Sequence, residues 1–408
     1  MSLCSARVLV VASALSLTLS ACSAPSESAT SVVVDTLPGG IVRTMSSAPV
    51  DSGHWSLVRA RDVMPPEGDS AELLKPADLA LADDGSVLVV ESSPASIRVY
   101  GPDGRWQRTI SRPGDGPGEI QSGFIAVRGD TVVVQDPGNS RSQSFNWRTG
   151  ALLSSRRTVC CYWNPIWIDG SGRVYVRSIA DHPDSTKRHA MALARFALNG
   201  DAVDSLFAIE RQDAAAPKPW FIRRGTQTVG SVLVPLQPRT HLAVDPTKAI
   251  LTGFSSSYVI RESSNGLDTT ALFGRSGESA RVSAAEKSAL VEAMVKGMRT
   301  ASPTGSTEQE LRMAFDAALI PDVRPAYEGL YADRAGRRWV RRSIADTTAV
   351  EFDLFDSDGK WLDIVRVPAS DWPESAWMSV AFSATEVAVV IEDEEGRPFV
   401  RVYTIRRG

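Results

Sequence analysis

Apolar and polar residues alternate along most of this chain in short runs, each bounded by Gly, Asp, Asn or Pro. That period-two pattern predicts β-strands, and long stretches with helical spacing are scarce. Residues 78–110, DLALADDGSVLVVESSPASIRVYGPDGRWQRTI, parse as four strands joined by DDG and PDG turns. Asp-Gly pairs suit tight hairpins because they tolerate positive φ. The same grammar returns from Phe124, Pro165, Thr240, Tyr327 and Trp377, giving six copies of a four-stranded unit. The sixth lacks its fourth strand. HWSLVRARDV, residues 54–63, is an unassigned strand ahead of the first copy and can supply it, closing a ring with no open seam. The pattern predicts an all-β protein, a six-bladed β-propeller of four-stranded blades closed by an N-terminal strand. Two β-sandwiches are the alternative, and they give no reason for six copies.

One segment breaks the strand pattern. Ser283 to Glu286 and Ser306 to Gln309 both match the capping box S-x-x-[EQ]. Each opens a run with helical spacing, Leu290, Met294 and Met298 in one and Leu311, Phe315 and Leu319 in the other. This predicts a helical insertion at about 276–325, between blades 4 and 5. Its apolar stripes are expected to pack against each other or the propeller, and a lid or docking knob is the functional alternative.

The tract SRPGDGPGEI, Ser111 to Ile120, follows a repeat ending in PDGRWQRTI. It resembles the link G-x-G-P-G-E-[FI] that joins blades in NHL-type and TolB-like six-bladed propellers of bacterial envelopes. The resemblance covers roughly Leu57 to Arg407. It implies the fold and little chemistry, since such propellers include scaffolds, receptors and a few enzymes.

The N-terminus bears on compartment. Arg7 precedes an apolar run, Val8 to Leu19, too short for a membrane span of ~20 residues but suited to a signal peptide. Leu19-Ser20-Ala21-Cys22 resembles a bacterial lipobox, which implies cleavage before Cys22 and lipidation of that residue. Residues 1–21 are then a signal peptide, 22–50 a lipidated flexible tether with an extended piece near Ser31 to Asp35, and 51–408 the propeller. In a diderm, Ser23 directs the expectation to the outer membrane, facing the periplasm. The lipid would be the membrane contact. The net charge is −4 with both signs interspersed, so no basic patch of the kind nucleic acid needs is present.

Blade geometry sorts the loops. The links 114–119, 156–164, 210–239 and 276–325, with the loop 178–190 that carries His182 and His189, fall on one face. The other face keeps short turns. The built-up face and its channel mouth are the expected binding site. The first residues of the innermost strands point near that mouth: Asp78, Trp163, Asn164, His241, Tyr327, Glu328 and Trp377. Among them Asp78, Asn164, His241 and Glu328 could hold calcium or zinc, although no local spacing supports a metal. G-x-S-x-G, HExxH and a P-loop are absent, so no catalytic residue is assigned. Cys160 and Cys161 are adjacent, with Cα atoms only ~3.8 Å apart across a trans peptide, below the usual disulfide range. A strained vicinal disulfide, two reduced buried thiols and a redox or metal role all stay open. The expected function is a lipid-anchored extracytoplasmic propeller that binds a small molecule or envelope protein without catalysis or cofactor. A metal-dependent hydrolase or lyase at the channel mouth and a structural envelope scaffold are the alternatives.

Overall fold

A computed structural model describes residues 31–408 apart from 67, 70, 159–164, 181–189, 200, 208–217, 248–249, 302–304 and 374–379. Cys160, Cys161, His182, His189, Trp163, Asn164, Trp377 and the segment 1–30 with Cys22 lie outside the described residues. Six four-stranded antiparallel blades are arranged in a ring. Their innermost strands, in blade order, are Pro76–Leu81, Phe124–Arg128, Trp167–Ile168, Thr240–Val244, Tyr327–Ala332 and Val380–Phe382. Strand chemistry follows position in the blade. In blade 1 the middle strands Val87–Ser92 and Ala95–Tyr100 are buried almost throughout, because neighbouring blades cover both faces. The outer strand Trp106–Ile110 is mostly exposed. The two Asp-Gly turns of blade 1 place their glycines in the left-handed region, Gly85 at φ 85° and Gly104 at φ 78°.

The ring closes as the repeats predict. Trp55–Val63 pairs antiparallel with the last strand, Pro398–Arg407, and becomes the outer strand of blade 6. The blade 1–2 link explains its own sequence. The Glu119 carboxylate turns back to accept the Gly116 N–H (2.9 Å) and the Arg112 Nε–H (2.9 Å). A Cβ at Gly114 would come within 2.1 Å of that carboxylate, so the glycine makes room for the glutamate.

The flexible tether expected over 22–50 needs correction in its second half. Val32–Leu37 and Ile41–Ser46 form a hairpin whose second strand runs parallel to Ala271–Arg275, the outer strand of blade 4. That edge has unpaired backbone groups, and the hairpin satisfies them. The chain then crosses blade 5, where Val50 and Asp51 donate to the carbonyls of Trp361 and Leu362, 2.9 Å each. Asp363 accepts from the Gly53 and Trp55 amides at 3.0 and 2.8 Å. Residues 32–63 are thus a belt around the rims of three blades.

The predicted insertion contains α1 (Ala284–Ala301) and α2 (Glu308–Ala314). The second capping box sits one residue later than expected, with Thr307 and Glu310 as the reciprocal pair. The insertion does not pack by itself. The blade 3–4 link supplies a hairpin, Pro219–Arg224 and Gln227–Leu233, and the two share a core of Trp220, Ile222, Val295, Leu311, Phe315 and Ile320. Trp220 stacks on Phe315 with centroids 4.7 Å apart, and its indole N–H donates to the Asp316 carbonyl (3.0 Å). Two links thereby make one cap. Among the described residues, no helix is long and apolar enough to cross a membrane.

Candidate functional site

The innermost strands of all six blades enclose a central cavity of about 190 Å³. Its wall includes Asp78, Trp167, Arg177, His241, Glu328, Tyr331 and Phe382. Arg334, in the first turn of blade 5, crosses toward the opposite side of the ring at the plain-face end. Its Nη2 donates to the carbonyls of Leu81 (2.7 Å) and Val127 (2.9 Å), and its Nη1 to Asp83 (2.5 Å). The guanidinium ties blade 5 to blades 1 and 2 and stands across that end of the channel.

Three of the expected residues line the cavity together. Asp78 is buried, and its Oδ2 accepts the Ile125 N–H of the next blade at 2.8 Å. Burial pushes its carboxyl up to about 8, against the opposing pull of the Ile125 and Leu79 amides. His241 is also buried, and burial, helped by the nearby Arg239 charge, lowers its imidazole to about 4. At neutral pH the cavity therefore holds a largely protonated acid and a neutral imidazole. Glu328 is more open. Its Oε1 accepts from Ser343 Oγ at 2.7 Å, and Arg324 and Arg341 each lie 3.9 Å from its carboxylate. Register shifts flank both carboxyl residues, between Pro76 and Asp78 and between Tyr327 and Gly329. Such bulges re-aim side chains at a strand end.

Tyr327 corrects the expectation. Its ring is fully buried between blades 4 and 5 with Tyr258, Phe355 and Trp361, and its hydroxyl has no hydrogen-bond partner among the described residues. The bulge shifts the alternation, so Tyr327 faces the core and Glu328 the channel. Trp163, Asn164 and Trp377 are outside the described residues. Of the metal candidates, Asp78, His241 and Glu328 share the cavity, but no group of three or more His, Cys, Asp or Glu among the described residues could hold a metal ion. The sequence reading missed Trp167, Arg177, Tyr331, Phe382 and Arg334. Alternation along the innermost strands carried a signal for Tyr331 and Phe382, and none foretold the reach of Arg334.

No family model matches the chain, and no curated protein matches it. Solved structures do. A member of the DUF4221 family from Bacteroides vulgatus is 10% identical, with 88% of this chain and 100% of that one covered and a TM-score of 0.50. A Bacteroides fragilis protein described as exported is 10% identical, with 90% and 98% covered and a TM-score of 0.48. Regucalcin from Agrobacterium tumefaciens, a calcium-binding protein, is 11% identical, with 86% and 97% covered and a TM-score of 0.40. At these identities the likeness concerns fold alone. The class is a six-bladed β-propeller with a central cavity.

Proposed function

We propose that this protein is an envelope propeller of NHL or TolB type, anchored through lipid on Cys22, that binds a small uncharged polar ligand at its channel mouth. The observation that carries the ligand class is one cavity that holds two buried titratable side chains, Asp78 with its carboxyl pushed up and His241 with its imidazole pushed down, among Trp167, Tyr331 and Phe382. Those two buried groups, set between aromatic faces and apart from the charged Arg177 and Glu328 of the same wall, suit hydroxyl- or amide-bearing molecules. Cys22→Ser should release the protein from the membrane fraction, and unchanged membrane association would remove the anchor. Ligand-observed NMR with neutral sugars, polyols and small amides tests the pocket. Signals that His241→Phe abolishes support it, and signals indifferent to that change, or none, sink it.

A hydrolase or lyase acting at the mouth is the second reading. The observation favouring it is the same pair taken as proton donor and acceptor. Turnover of an ester or lactone lost in both Asp78→Asn and His241→Gln would select it. A partner protein on the capped face belongs to the binding reading.

A further inference from the structure

A second cavity, of about 600 Å³, opens where blades 4 and 5 meet. Its walls are the loops Ser256–Tyr258 and Arg342–Ala345, together with both ends of the long link that carries the cap. Three guanidiniums line it: Arg275, Arg281 and Arg342. Arg275 is fixed from behind. Its Nε–H donates to Asp353 Oδ2 at 2.8 Å, and the Tyr258 hydroxyl donates to the same oxygen at 2.5 Å. Its guanidinium carbon lies 4.4 Å from the centre of the Tyr258 ring and 5.3 Å from that of Trp361. The Nη1 end faces Gly277, where a Cβ would stand 3.2 Å away, so glycine leaves that end less covered.

Arg342 is held by Glu351 (3.0 Å) and retains a buried Nε–H without a hydrogen-bond partner among the described residues, 3.8 Å from Asp353 Oδ1. Arg281 is exposed, and its charge helps to lower the Asp322 carboxyl, which Lys287 holds at 2.6 Å. The carboxylates Asp353 and Glu351 hold the arginines without lining the cavity, and among the described residues Glu278 is the one carboxylate in its wall. Ser256, Ser257, Ser279 and Ser343 add hydroxyls to the wall.

We propose that this cleft is a binding site, separate from the channel, for a small molecule bearing a carboxylate or phosphate group, gripped by Arg275, Arg281 and Arg342. A guanidinium anchored at Nε presents its remaining N–H groups as a planar fork, which matches two oxygens of such a group. Partial shielding from water strengthens each contact.

The test uses the chain from Ser31 at low ionic strength, with calorimetry against inorganic phosphate, citrate and a hexose phosphate, and chloride at matched ionic strength as reference. Saturable binding is expected, weakened about tenfold by Arg281→Ala and by Arg342→Gln, as for loss of one charge-assisted hydrogen bond. Arg105→Ala, which removes a distant exposed charge, should bind like the parent. Tighter binding of the hexose phosphate than of phosphate would make the oxyanion part of a larger ligand, and equal binding would make the free anion sufficient. No binding beyond chloride, or equal binding by Arg281→Ala, overturns the proposal. Arg281 is exposed, so its substitution tests the cleft even if Arg342→Gln fails to fold.

Discussion

The rings of His241 and Tyr327 pack 5.1 Å apart, yet one lines the channel and the other is sealed in the core between blades. Burial, to which that contact belongs, and the Arg239 charge lower the imidazole. The folded state takes up the His241 proton only near pH 4, whereas an unfolded chain takes it up near 6.5. Stability from this group is therefore complete above pH 6.5 and is lost as pH falls toward 4 and below, on the order of 3 kcal/mol in all. His241→Gln should flatten the acid limb of a melting-temperature profile. A profile that keeps its shape would show that the imidazole is not buried as described.

Asp78 has the opposite sign. Its folded value, about 8, is above the ordinary 3.8. The folded state holds this proton more tightly, so stability is complete below pH 3.8 and is lost as pH rises through 8. Asp78→Asn keeps an acceptor for the Ile125 amide and cannot ionise. It should melt higher than the parent at pH 9, with the gap closing toward pH 4. A constant gap would place the effect in packing rather than in ionisation.

Arg334→Ala removes two hydrogen bonds from a guanidinium to buried strand carbonyls. Urea unfolding should show a loss of about 1–3 kcal/mol. Arg334→Lys should recover little, because a point charge cannot reach both carbonyls with the same fork. Full recovery by lysine would reduce the role of Arg334 to charge.

The cap should fail locally. Phe315→Ala removes the partner of the Trp220 stack, and such truncations cost about 3–5 kcal/mol in well-packed cores. Hydrogen exchange should quicken in α1, α2 and the hairpin 219–233, while the blade strands keep their protection. Uniform acceleration across the ring would mean that cap and propeller fold as one unit.

A protein beginning at Asp51 lacks the hairpin and exposes the outer edge of blade 4. It should melt below one beginning at Ser31 and associate more readily through that edge. Equal melting and equal dispersity would show the hairpin to be dispensable.

The blades were legible because strand alternation and Gly-centred turns are local signals, repeated six times. The closing strand was legible by subtraction, since blade 6 lacked a partner and residues 54–63 had none. The N-terminal hairpin was hidden by composition. Ser, Thr and Ala up to residue 50 read as tether with one extended piece near Ser31 to Asp35, and the parallel pairing that orders the segment comes from a strand more than two hundred residues away. At the channel, Asp78, His241 and Glu328 were found from strand position, whereas Tyr327 was misplaced because a one-residue bulge reverses which side chain faces inward. The union of two distant links into one cap left no trace in either segment alone.

A ring of blades is held by its clasp, the pairing of first and last strands, but a clasp resists only opening at the seam. Arg334 works along the diameter. By joining opposite blades through the hub it acts as a spoke, and it resists a change in radius that leaves every blade-to-blade contact only slightly altered. A wider bore would have to stretch that spoke, which is fixed at one end of the channel alone.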